Sequence, residues 1–208
     1  GMVGNNACGA HSLIYGSTRD HTLELCTLLS DGSEVIFKSL TKSEFLAKCD
    51  GSSFESRIYQ NIHAILLDRD NQKEIREQYP DPAIKRRNTG YAIDLLLDTE
   101  PFTTKGLPFN FCRILAGSEG TLAFTTEIKL NLVPLPPKNK GLLCVHFHSL
   151  DEAFQANLIA LGHKPGAIEL IDHHILEQTK SNISQRRNRF FVRGDPAALL
   201  IIEFARES

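Results

Sequence analysis

The sequence predicts an α+β fold built in two parts, and three observations carry the prediction. Asp31-Gly32 sits between two strand-like runs and suits the turn that matches strand twist. Two capping-box patterns, Thr41-Lys42-Ser43-Glu44 and Ser149-Leu150-Asp151-Glu152, each announce a helix. In such a box the hydroxyl accepts from a first-turn amide while the glutamate reaches back to the cap. The stiff segment Val133-Pro134-Leu135-Pro136-Pro137 excludes regular pairing and puts a boundary between a domain over 1–137 and a second over 138–208.

Residues 1–20 are rich in Gly, Asn, Ser and Ala without periodicity, the mark of an ordered loop with several tight turns. Leu23–Leu29 and Glu34–Lys38 follow as a hairpin, and a short helix starts after Thr41. From Phe54 to Tyr79 the residues Ile58, Ile62, Ile65 and Leu66 recur at helical spacing. One or two helices therefore cover this stretch, until Pro80 and Pro82 stop them by removing amide donors. Ile93–Leu97 is apolar but too short for its type to be read. Phe109–Leu115 reads as a short helix and Leu122–Val133 as a long strand. Beyond the prolines come an apolar strand from about Gly141 through Phe147, a helix to about Leu161, and a strand over Ala167–Ile171.

The 23 basic residues nearly balance the 25 acidic ones, so no overall field favours nucleic acid or a membrane surface. A hydrophobic share of 41% and a charged share of 23% fit an ordinary globular protein, and no apolar run reaches membrane-spanning length. Cys8, Cys26, Cys49, Cys112 and Cys144 are scattered without a CxxC pair. Their odd number predicts free thiols and a cytoplasmic location.

The residues with chemical promise fall in two segments. Gly1-Met2-Val3-Gly4-Asn5-Asn6-Ala7-Cys8-Gly9-Ala10 runs on to Tyr15-Gly16 and Asp20, and Leu115-Ala116-Gly117-Ser118-Glu119-Gly120-Thr121-Leu122 opens the long strand. Each places small residues where a backbone turns sharply or approaches a ligand, as two walls of one cleft would. Gly1, Gly4 and Gly9 lack the Rossmann spacing, and no Gly-Lys-Ser/Thr loop occurs, so a nucleotide would be held another way. Amides exposed at glycine turns make anion-binding concavities, and Asn6 and Ser12 can donate to phosphate or ribose oxygens.

The pattern N-A-x-G-x-x-x-x-x-Y-G-x-x-x-D, carried by Asn6, Ala7, Gly9, Tyr15, Gly16 and Asp20, precedes the Gly117–Thr121 turn. Together the two segments resemble the FAD-binding (PCMH-type) domain of the FAD-linked oxidases and dehydrogenases of the vanillyl-alcohol-oxidase type. That group contains glycolate oxidase and the D-lactate and D-2-hydroxyglutarate dehydrogenases. The resemblance implies that 1–137 is the second FAD subdomain, with a mixed or antiparallel sheet and flanking helices, and that 138–208 begins the substrate domain. It implies FAD as cofactor and a small 2-hydroxy acid as substrate of the longer parent. Ser12, Ser118, Glu119, Gly120 and Leu122 would then join the cofactor contacts, although Glu119 equally suits a purely structural role, bonding turn amides.

The resemblance further implies an N-terminal FAD subdomain upstream and, downstream, the residues that bind and deprotonate the hydroxy acid. No catalytic residue is carried over, and this chain alone is expected to turn over no substrate. A non-catalytic module that self-associates, as a homodimer, or binds a partner is the alternative. The Arg86–Tyr91 stretch resembles the longer bacterial members and reads otherwise as a solvated basic loop. His146 and His148 share a strand face, and His173 and His174 are adjacent, but no supporting ligand cluster is evident in sequence, and no metal site is expected. Arg186, Arg187, Arg189 and Arg193 could steer an anionic substrate but read rather as a solvated face.

Overall fold

The structure, a computed structural model, describes residues 1–84, 86–87 and 90–207; Lys85, Asn88 and Thr89 of the basic loop lie outside the described residues. In chain order the elements of the first stretch are α1 (Ser12–Tyr15), α2 (Thr18–His21), β1 (Thr22–Leu28), β2 (Glu34–Phe37), α3 (Lys42–Cys49), α4 (Phe54–Leu67) and α5 (Arg69–Gln78). Then follow α6 (Ile93–Leu97), α7 (Cys112–Leu115), β3 (Phe124–Leu130), β4 (Asn139–Phe147), α8 (Leu150–Gly162), β5 (Ala167–Asp172), α9 (His173–Ser181), α10 (Ile183–Arg186), a 3-10 turn over Arg187–Phe191, and β6 (Ala198–Arg206). Two compact units result, one formed by 1–8 and 16–132, the other by 9–15 and 133–208. Residues 9–15 thus leave the first unit and pack with the second, a detour no composition shift announces.

In the first unit β1 is the centre of an antiparallel sheet ordered β2-β1-β3. The expected hairpin is present, with Leu28 opposite Glu34 and Gly32 supplying a φ of +83° in the turn. The helices cover one face around an aromatic core. Phe45, fully buried, meets Phe109 at a ring-centroid distance of 4.6 Å, and Phe109 meets Phe111 edge-on at 4.8 Å. Asp68 ends α4 and caps α5, its Oδ1 accepting from the Asn71 amide, so the long helical run divides in two. Two expectations shift here. The short helix begins only at Cys112, because Phe109 exchanges both backbone hydrogen bonds with Leu40. The long strand is likewise trimmed to Phe124–Leu130, with register shifts along β1.

In the second unit β6 is central, with β4 and β5 antiparallel on its two sides. A core of Ala153, Ala160, Ala198, Leu200 and Ile202 lies between α8 and this sheet. Ser149 caps α8 as expected, accepting from the Glu152 amide at 3.2 Å, but the Glu152 carboxylate reaches His148 N instead of Ser149 N. Among the described residues no helix is long and apolar enough to cross a membrane.

Candidate functional site

The two glycine-rich segments meet within the first unit. Gly117 N donates to Val3 O and Glu119 N to Gly4 O, each at 2.9 Å, so backbone hydrogen bonds lace the 115–121 loop to the N-terminal loop. A cleft of about 650 Å³ opens beside this seam, lined by Gly1–Asn5, Ser118, Glu119, Gly120 and the apolar side chains of Phe124 and Ile128 on β3. Among the described residues, nothing in the protein takes a hydrogen bond from the Gly4 or Gly120 amide. Gly4 and Gly120 both line this cleft, which has the volume of a small-molecule site.

The predicted residues divide into those that line the cleft and those that build it. Ser118 is buried, and its hydroxyl donates to Leu115 O at 2.9 Å, closing the turn. Glu119 is exposed with φ +53°, and its main chain makes the contact with Gly4. Leu122 faces elsewhere, into a second, apolar cavity of about 410 Å³ walled by Phe37, Phe54, Ile58, Phe111 and Leu115. Asn6, expected to donate to a ligand, is 1% exposed at φ +48°, and its Oδ1 accepts from Arg19 N at 2.8 Å. Ala7 O accepts from both Thr18 N and Thr18 Oγ1. Asp20 Oδ2 takes Ser17 N at 2.7 Å and Ser17 Oγ at 3.0 Å. The same oxygen would lie 2.6 Å from a Cβ on Gly16, whose φ of +77° already favours glycine.

Gly9, Ser12 and Tyr15 belong to the second unit. Ser12 Oγ accepts from Gly9 N at 2.9 Å, and Tyr15 lines a pocket of about 200 Å³ with His11, Lys164 and Glu203. Glu203 Oε1 is held by His11 at 2.9 Å and Lys140 at 3.1 Å, and the His11 contact in particular keeps its carboxyl below the usual range.

Arg19 is the residue that sequence reasoning passed over. It is 4% exposed, its Nε and Nη2 both donate to Ala116 O, and Nη2 also donates to Gly90 O. Its one visible signal was the position next to Asp20, inside the glycine-rich pattern. Arg87 is not a solvated cation either, since it pairs with Asp94 at 2.6 Å with both side chains largely buried. Arg189 donates to Leu176 O and Thr179 Oγ1. His146 Nε2 accepts from Arg193 N at 3.1 Å. His173 gains the cluster its sequence neighbours lack: it lies with Glu177 and Asp195 so that one ligand atom from each falls within 4.8 Å of the others. The two carboxylates already hold the Lys180 ammonium, at 2.9 Å from Asp195, which raises the lysine pKa and lowers that of Asp195.

No protein-family model matches the chain. It is 31% identical over 176 residues to D-2-hydroxyglutarate dehydrogenase of Pseudomonas putida, an alignment covering 85% of this chain and 16% of that protein. The same-named protein of Escherichia coli is 31% identical over 185 residues, covering 88% and 17% respectively. The GlcD subunit of E. coli glycolate oxidase is 39% identical over 67 residues, 31% of this chain and 13% of GlcD. The chain therefore spans a fifth or less of the length of the curated relatives it matches. A solved alkyldihydroxyacetonephosphate synthase aligns over 98% of the chain at 15% identity with a TM-score of 0.48, a likeness too low to carry an assignment. On the strength of the sequence relatives, the chain belongs to the FAD-linked oxidase and dehydrogenase family that includes D-2-hydroxyglutarate dehydrogenase and glycolate oxidase subunit GlcD.

Proposed function

We propose that this chain is the FAD-contacting part of an oxidoreductase acting on a small 2-hydroxy acid of the glycolate, D-lactate or D-2-hydroxyglutarate type. The observation that carries the reading is the backbone seam between the two glycine loops, beside a cleft lined by Gly4 and Gly120, whose amides have no acceptor among the described residues. In this reading 1–137 is the second subdomain of a PCMH-type FAD domain and 138–208 the start of the substrate domain.

FAD, when bound, would supply the hydride acceptor. The chain's own residues would bind and orient it. Ser118, Glu119 and Gly120 would offer backbone to the cofactor, and Asn6, Ala7, Gly16 and Asp20 would hold the opposite wall in shape. Gly9, Ser12 and Tyr15 are proposed as cofactor residues on the sequence pattern alone, and Leu122 would act through the neighbouring apolar cavity. No residue of this chain is assigned the hydroxyl proton or the substrate carboxylate, so the purified chain is expected to oxidise neither D-lactate nor D-2-hydroxyglutarate.

The test is a visible absorption spectrum after mixing with FAD and gel filtration. A flavin band that travels with the protein and disappears in Gly120→Val supports the reading. Flavin that elutes entirely in the small-molecule volume overturns it for this chain. A second reading, a self-associating or partner-binding module, is favoured by the exposed apolar residues Phe154, Leu158 and Ile159 on α8, at 52%, 63% and 69% exposure. Sedimentation velocity separates the two, since a monomer over a wide concentration range removes homodimerisation.

A further inference from the structure

We propose that Arg19 is the positioning residue of this cleft: its buried guanidinium sets the spacing of the two glycine loops, and Gly117 is glycine to make room for it. The proposal deepens the cofactor reading, and it rests on that reading only for its ligand-affinity arm.

A buried cation is costly unless its donors are used. Here they are spent on carbonyl groups from separate parts of the chain. Nε and Nη2 reach Ala116 O at 3.0 and 2.8 Å, Nη2 reaches Gly90 O at 2.9 Å, and the main-chain N of the same residue donates to Asn6 Oδ1 at 2.8 Å. Among the described residues no carboxylate forms an ion pair with Arg19. Burial pulls its pKa below the ordinary arginine value, while the fields of Asp20 and Asp94 oppose that shift. A guanidinium remains charged in such a place and presents a rigid planar fork. A lysine ammonium is a single point and does not reproduce that geometry. Arg19 therefore ties the N-terminal loop, the 115–121 loop and Gly90 together at fixed separations.

Gly117 completes the device. A Cβ at this position would lie 2.5 Å from Arg19 Nη2 and 3.4 Å from Gly90 O, and φ is +96°. Alanine there meets two separate penalties: backbone strain, and a collision with the arginine fork. Only the second depends on Arg19, so the two substitutions are coupled.

Four variants decide the matter: Arg19→Lys, Arg19→Met, Gly117→Ala and the double Arg19→Lys/Gly117→Ala. Amide hydrogen exchange, thermal stability and FAD affinity are read on each. Arg19→Lys is expected to speed exchange at the Gly117 and Glu119 amides by about tenfold, leaving the Cys26 amide of β1 unchanged. Gly117→Ala is expected to lower the melting temperature by about half as much in the Arg19→Lys background as in the native one. FAD affinity is expected to fall about tenfold in Arg19→Lys, in step with loop exchange and out of proportion to the melting temperature. Unchanged exchange at Gly117 and Glu119, or additive losses in the double variant, overturns the proposal. If Arg19→Met does not fold, Arg19→Lys carries the same comparisons. If the native chain holds no flavin, the cofactor reading falls, while exchange and the double-variant cycle still decide the role of Arg19.

Discussion

Cys112 has the most protected thiol of the five cysteines. It has no exposed surface, its Sγ lies 3.3 Å from Phe37 O, and burial pushes its pKa up to about 12. Since the thiolate is the reactive form, Cys112 is expected to resist a pulse of thiol reagent at pH 8 that modifies Cys8 and Cys144, and to react only on unfolding. Mass spectrometry of the pulsed protein checks this, and early labelling at Cys112 would show that the aromatic core opens locally. Burial also shapes Asn6, expected to donate to phosphate or ribose oxygens: its backbone adopts a positive φ that asparagine tolerates, and its Oδ1 accepts from Arg19 N. A motif shows which residue types stand together. Which of them face a ligand depends on partners far along the chain.

The capping box that opens α3 makes a second test. Thr41 Oγ1 accepts from Glu44 N, and Glu44 Oε2 accepts from Thr41 N at 2.8 Å, so Thr41→Ala should destabilise the first unit by ~1 kcal/mol in denaturant titration. The Thr41 amide, and then its hydroxyl, hold the Glu44 carboxyl below its usual range. A depressed carboxyl contributes stability above its unfolded pKa and loses it as pH falls through the folded value. Glu44→Gln should therefore flatten the acid limb of the stability profile below about pH 4.5, the ordinary carboxyl value. An unaltered acid limb would mean the carboxylate bond adds nothing. Elements with such local punctuation were legible: the Asp31-Gly32 hairpin, the caps at Thr41 and Ser149, and the proline stop after α5. Phe109 was not, since its bridge to Leu40 is a pairing across the chain. Strand β6 went unread although Ala198–Ile202 is a continuous apolar run, because a central strand buried on both faces at its start lacks the alternation that marks a half-buried one.

The two units differ in what fills them, and the difference should be measurable. Large aromatic side chains from α3, α4, β2 and the 109–111 segment fill the first core, with Phe45 and Tyr59 at 0% and 1% exposure. The second core contains Ala153, Ala160 and Ala198 with Leu200 and Ile202, and among the described residues of this unit Leu199 and Leu176 are the other large apolar side chains buried. Burying a large apolar side chain contributes about 1.5–3 kcal/mol, and alanine far less, so the second unit has the smaller hydrophobic term. Leu25 and Leu200 make a controlled comparison. Each sits on the central strand of a three-stranded antiparallel sheet, Leu25 opposite Phe37 and Ile128, Leu200 opposite Val145 and Leu170, and neither is more than 1% exposed. With pairing and burial matched, their amide protection reports the stability of the unit around them. Hydrogen exchange at rising denaturant should release Leu200 before Leu25. Simultaneous release would show one cooperative structure, and earlier release of Leu25 would mean that apolar burial does not rank the two cores.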